Sequence, residues 1–145
     1  MSPERRVEPP SGQPPPTEAQ LAGDGQKLDL AALAREICRR YSAEYTDERD
    51  RYGDAGTAWC VHDNQHLLNW AAGAFNGYVD MEREVGWLAR VLEARDFPID
   101  RLARNLDIGA EVVREQVGGE AGNDLAGILA GAGSFVRSKE TFLEA

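Results

Sequence analysis

An all-α fold, a compact four- to five-helix bundle behind a Pro-rich N-terminal arm, is what this sequence predicts, and three observations predict it. Apolar residues recur at three- and four-residue intervals through successive segments, the spacing of one face of an α-helix. Glycines and prolines punctuate those segments. Finally, the stretch from Ala55 to Val79 carries a single formal charge, Asp63, in a chain that is 28% charged, which marks it as the central helix. At 145 residues the chain is sized for one domain. The expected organisation is a disordered arm over 1–27, a helical bundle over 28–137 and a C-terminal tail over 138–145.

The arm holds six of the seven prolines, Pro3, Pro9, Pro10, Pro14, Pro15 and Pro16, with almost no large apolar residue among them. Such a composition buries too little to order itself. Pro14-Pro15-Pro16 can present a left-handed extended helix to a polyproline-binding domain. The first helix runs from Leu30 to Tyr45 with Asp29 as its cap and Leu30, Leu33, Ala34, Ile37, Cys38 and Tyr41 in one stripe. The run TDERDRYGDAG then reads as a polar connection, because Gly53 and Gly56 interrupt a helical pattern, and Thr57 caps the central helix.

The third helix, Met81–Asp96, is capped by Asp80, and Glu84 and Arg95 interrupt its apolar stripe of Met81, Val85, Trp87, Leu88, Val91 and Leu92. Pro98 opens the fourth in the position proline prefers, with Asp107 as a possible restart and Gly118-Gly119 as the stop. The last, about Asp124 to Arg137 with Asn123 as cap, contains Gly127 and Gly131 four residues apart beside Ala126 and Ala130. That ridge of small residues allows another helix to approach closely, within the bundle or across a homodimer seam.

Placing the central helix on a wheel at about 100° per residue sets His62, His66, Asn69 and Gly73 on one narrow polar face. Asp63 and Asn64 fall within the apolar arc, which includes Trp59, Cys60, Leu67, Leu68 and Trp70. Both should face other helices. A buried carboxylate needs a cation, several donors or a proton, so Asp63 implies a partner, with Glu84, Arg95 and Arg40 as candidates.

Three chemistries can be weighed on these residues. His62 and His66, at i and i+4, can grip one metal ion or a haem from one helical face, although no third ligand joins them from the same helix. Asp63 with Glu84 can act as an acid/base carboxylate pair. A pocket walled by Trp59, Trp70, Trp87 and Tyr41, with Asp63, Asn64, Glu84 and Arg95 as orienting groups, suits a ligand that wants apolar walls and sparse polar contacts. A Cys60 nucleophile is disfavoured, because both histidines point away from it around the helix. No motif identifies a cofactor.

A net charge of −9 argues against nucleic acid or an anionic membrane as partner. No apolar run approaches the roughly 18 residues that span a bilayer. Cys38 and Cys60, 22 residues apart, have no metal-type spacing and read as reduced, small apolar residues. The role expected from the whole is a non-enzymatic cytoplasmic binding or regulatory module, with a small molecule or another protein as partner.

Overall fold

The computed structural model describes residues 8–23 and 25–143. Two short strands, β1 (Glu18–Gln20) and β2 (Lys27–Asp29), precede five helices: α1 (Leu30–Glu44), α2 (Asp47–Phe75), α3 (Met81–Ala94), α4 (Ile99–Gln116) and α5 (Gly119–Arg137). The fold is all-α with one small hairpin attached. Leu21, Leu30, Ile37, Leu67, Leu106, Ile108, Leu125 and Leu129 are among its most deeply buried large side chains, so the core lies where α1, α2, α4 and α5 meet, with Leu21 of the hairpin packed onto it. The most extensive helix pairing is α4 with α5.

The caps follow the sequence. Asp29 accepts the Ala32 amide at 2.9 Å, and Asp80 accepts that of Arg83 at 3.2 Å, each satisfying an orphan donor of a first helical turn. Two boundaries differ from expectation. The α2 span begins at Asp47, ten residues before Thr57, because the polar run expected as a connection is itself helical up to Gly53. Gly53 does interrupt it, at a non-helical φ 64° and ψ −156°, so α2 is two helical segments joined across a kink. That conformation is open essentially to glycine alone. The acidic run Asp47, Glu48 and Asp50 occupies the first turn of α2, where the helix dipole favours negative charge. Helix α4 passes through Asp107 without a restart, and α5 begins at Gly119.

The arm is also more ordered than its composition suggests. Glu18, Ala19 and Gln20 pair antiparallel with Asp29, Leu28 and Lys27, and Leu21 and Leu28 are only 1% and 4% exposed. The Asn76 side chain at the end of α2 grips this hairpin from both sides, accepting the Ala22 amide at 2.7 Å and donating to the Gln20 carbonyl at 2.9 Å. The expectation of disorder over 1–7 falls outside the described residues. At the other end, Thr141 and the Phe142 amide both donate to Glu93 of α3, at 2.6 and 2.7 Å, so the described part of the tail is docked.

On α5 the two glycines singled out by spacing are not the ones that permit close packing. Gly127 and Gly131 are exposed, and a Cβ at either would meet nothing within 4 Å. Gly122 and Gly133 are the buried pair: a Cβ would stand 3.0 Å from the Val113 carbonyl at the first, and 3.2 Å from the Ala103 carbonyl at the second. Both contacts are with α4. No helix among the described residues is long and apolar enough to cross a membrane.

Candidate functional site

Residues 59, 62, 66 and 70 follow one another at i+3 and i+4, so their side chains form a single row along α2. The structure bears this out ring by ring. The centroids of Trp59 and His62 lie 5.0 Å apart, those of His62 and His66 4.8 Å, and those of His66 and Trp70 6.0 Å. Trp87 of α3 extends the row, 6.5 Å from Trp70 and nearly perpendicular to it. Most of these pairs meet edge to face, the arrangement the ring quadrupoles favour. Five rings thus form one continuous strip on the α2–α3 surface, half-buried along α2 and 51% exposed at Trp87.

This corrects the wheel in three respects. The tryptophans line neither the cleft at the α2 kink nor the groove beside the hairpin, and Tyr41 of α1 stands away from them, donating its hydroxyl to Glu48. Asp63 does not enter the core: its side chain is 25% exposed beside the strip, with Oδ1 3.1 Å from Nδ1 of His62. Gly73, placed on the polar face, is buried under Val79 and Tyr78. The partner of Asp63 is therefore its own sequence neighbour. Loss of hydration pushes its carboxyl above the ordinary range, against the pull of His62 and of the Arg95 charge. His66 is pushed the other way, below the usual histidine value, first by burial and then by the neighbouring His62.

The remaining candidates disperse. Arg40 pairs with Glu36 and Glu115, each at 2.7 Å, and not with Asp63. Glu84 is half-buried on α3, and the hydrogen bond described for Asp63 goes to His62. Among the described residues no group of three potential metal ligands comes together.

Asn64 does face the core, and there it meets a residue that the helix wheel of α2 could not supply. Its Nδ2 donates to Oδ1 of Asn105 on α4 at 3.0 Å, and Asn105 Nδ2 donates back to Asn64 Oδ1 at 2.8 Å. The same nitrogen lies 3.0 Å from the Cys60 carbonyl and 3.5 Å from the sulfurs of both Cys38 and Cys60. The asparagines are 3% and 7% exposed. The signal for Asn105 was present in the sequence: it stands three residues after Leu102 and three before Ile108, inside the buried stripe of α4. The hydrogen bond to Cys38, and then burial, push the Cys60 thiol well up, so it is held protonated and is a poor nucleophile.

Two clefts form away from the strip. One of about 280 Å³ lies at the α2 bend, lined by Tyr41, Tyr45, Glu48, Tyr52, Gly53 and Cys60. Its acid is already engaged, since Arg101 donates to Glu48 at 2.8 Å and stacks 4.4 Å over the Tyr45 ring. The other, about 440 Å³, is a shallow groove between the hairpin and Tyr78.

The strip has one further neighbour. The Trp59 indole N–H donates to the Glu8 carbonyl at 2.5 Å, and Gln65 Nε2 donates to the Pro16 carbonyl at 3.0 Å, so the Pro-rich arm is tied to α2 at two points. Comparison with protein-family models, with curated proteins and with solved structures finds no match to this chain.

Proposed function

We propose that the protein is a non-enzymatic binding or regulatory module whose ligand surface is the aromatic strip of Trp59, His62, His66, Trp70 and Trp87. One observation carries the reading: five rings stand in unbroken contact along α2 and α3, and each is left half-buried or open. Contiguous apolar surface of this kind marks interaction sites in soluble proteins, and tryptophan is the residue most enriched at their energetic centres. Asp63 and the two imidazoles supply the sparse polar contacts that fix orientation. The Cys60 thiol, pushed up by its hydrogen bond to Cys38 and by burial, is a poor nucleophile, which supports a non-enzymatic reading. Two free cysteines side by side suit a reducing compartment, which supports a cytoplasmic setting.

The chain has three tryptophans, all in the strip, so three indole N–H resonances report on the surface. A nuclear magnetic resonance titration with a panel of small amides, aromatic cations and short peptides should give binders that move these three signals together. Binders that instead move only residues around Tyr41, Tyr45 and Tyr52 would assign the function to the cleft at the α2 bend.

A further inference from the structure

Resting on the strip as a ligand surface, we infer that its ligand is a proline-rich extended segment of another chain, and that the arm of this chain occupies the surface in cis. An extended proline-rich strand has no internal hydrogen bonds, and its prolines have no N–H to offer. A receptor for it must therefore present donors to its carbonyls and flat rings to its pyrrolidines. The Trp59 end of the strip and the buried Gln65 beside it supply the donors, and the rings that follow along α2 supply the flat faces. The two donors that reach the arm, the Trp59 indole and the Gln65 amide, each bond a main-chain carbonyl, those of Glu8 and Pro16. Between these carbonyls lie Pro9, Pro10, Pro14 and Pro15.

The placement on α2 is specific. In an ideal helix Trp59 and Gln65 stand about 120° apart in angle and about 9 Å in rise, with His62 midway in both. The arm is thus tied on either side of His62, the first histidine of the row. Eight residues of fully extended polyproline would reach about 25 Å, far more than that separation requires. The excess is taken up in a bend at Gly12, whose φ is +87°. Beyond the bend the prolines sit as a threefold helix resting on a surface should: Pro15 and Pro16 are half-buried and Pro14 is exposed.

The tether is strong at one end only. Immediately after Pro16, the Thr17 carbonyl accepts the Leu30 amide at 2.9 Å and the chain enters the hairpin, so the Pro16 end is fixed. Upstream, the bond to Trp59 is the hold described, and it lies at an exposed position. A tethered segment competes with a free one as if present at about millimolar concentration. Weakening the arm should therefore expose the surface to the same sequence in trans.

The test uses the full chain and a synthetic peptide of residues 8–17, Glu-Pro-Pro-Ser-Gly-Gln-Pro-Pro-Pro-Thr. In a full-length variant carrying Pro9→Ser and Pro10→Ser, which loosens the weakly held end of the arm, the peptide should move the Trp59 indole resonance saturably and bind about tenfold or more tighter than to the wild-type chain. Trp59→Phe, which keeps an aromatic ring and removes the donor, should weaken binding in that background by about tenfold. A control peptide with serine at the three positions of Pro14, Pro15 and Pro16 should not bind. Failure of the peptide to bind the arm-weakened chain, or equal binding by the Trp59→Phe form, overturns the inference. If small amides or aromatic cations still move the three indoles, the strip remains a ligand surface with a different ligand; if they also fail, both readings fall.

Discussion

On one side of α2 stands Asn64, neutral, 3% exposed and bonded in both directions to Asn105; on an adjoining side stand Asp63 and His62, both ionisable, 25% and 20% exposed, with only each other at hydrogen-bond distance in this row. The two sides are one residue apart in sequence and obey different rules. A buried amide pair carries no charge and satisfies its own donors and acceptors, so it can fix the register of α2 against α4 without needing water or a ligand. Among the described residues no buried side-chain polar atom lacks a partner. The outer row instead combines rings whose faces are half open with a carboxyl that its surroundings push toward protonation. Polar groups built into the core hold the fold, and those left at its edge are the ones proposed for recognition.

The sharpest way to break this comparison is to remove half of the inner pair. Asn64→Ala leaves the Asn105 amide buried and unpaired, and should cost about 1–3 kcal/mol in urea denaturation. Asn105→Ala should cost about as much. The double variant Asn64→Leu with Asn105→Leu should lose clearly less than the sum of the two alanine effects, because no polar group is then stranded. Single variants as mild as surface substitutions would mean that the pair does not set the register.

How much of this was legible in the sequence follows the same division. Periodicity found the buried stripes of α1, α3 and α4, since burial repeats with the helix, and the short-range chemistry of capping found Asp29 and Asp80. A wheel of one helix also found that Asn64 faces inward. It could not find Asn105, which lies on a different helix 41 residues away. It put Asp63 deeper than the structure does, because how far a side chain at the edge of an apolar arc is covered depends on where the neighbouring helices stop. The side chain is largely covered but 25% exposed. Gly53 was legible as a breaker, and it does interrupt the helix; what local propensity missed is that the polar run before it is helical too. The hairpin was hidden in a proline-rich composition because two residues, Leu21 and Leu28, supply its buried contacts, and its hold on the bundle comes from Asn76, far along the chain.

Helix α5 repeats the contrast between inner and outer faces in glycines. Gly127→Ala and Gly131→Ala fall on exposed helix interior with open space around each Cβ, and each should stabilise the chain by about 1 kcal/mol. Gly133→Ala should do the opposite by about 1–3 kcal/mol, because its Cβ would crowd Asp107 at 3.0 Å and the Ala103 carbonyl at 3.2 Å. Denaturation midpoints of the three variants decide the matter. Leucine at 127 or 131 should also leave the sedimentation mass unchanged if no second copy packs there; a changed mass would place a homodimer seam on that face.

The smallest effect concerns the outer row, and its sign is informative. Burial is the dominant influence on Asp63 and raises its folded pKa above the ordinary 3.8, with His62 and Arg95 opposing. The native state then binds this proton more tightly than the unfolded chain does. Stability from this residue therefore increases as pH falls through the folded pKa and is lost as pH rises through it. Elsewhere Glu36, held at about 2 by Arg39 and Arg40, and Glu44, Asp47 and Glu115, each lowered by an arginine, contribute in the opposite sense and lose stability on acidification. Comparing Asp63→Asn with the wild type cancels those shared contributions. The amide keeps an acceptor toward His62 and removes the charge, so at pH 7 the variant should melt at or slightly above the wild-type temperature, with the gap closing on acidification toward 4. A variant that instead melts lower at pH 7 would show that the Asp63 carboxylate is held by its neighbours more strongly than burial opposes it. Asp63 would then belong, with Asn64, to the groups that hold the fold, and the outer row would keep only its rings for recognition.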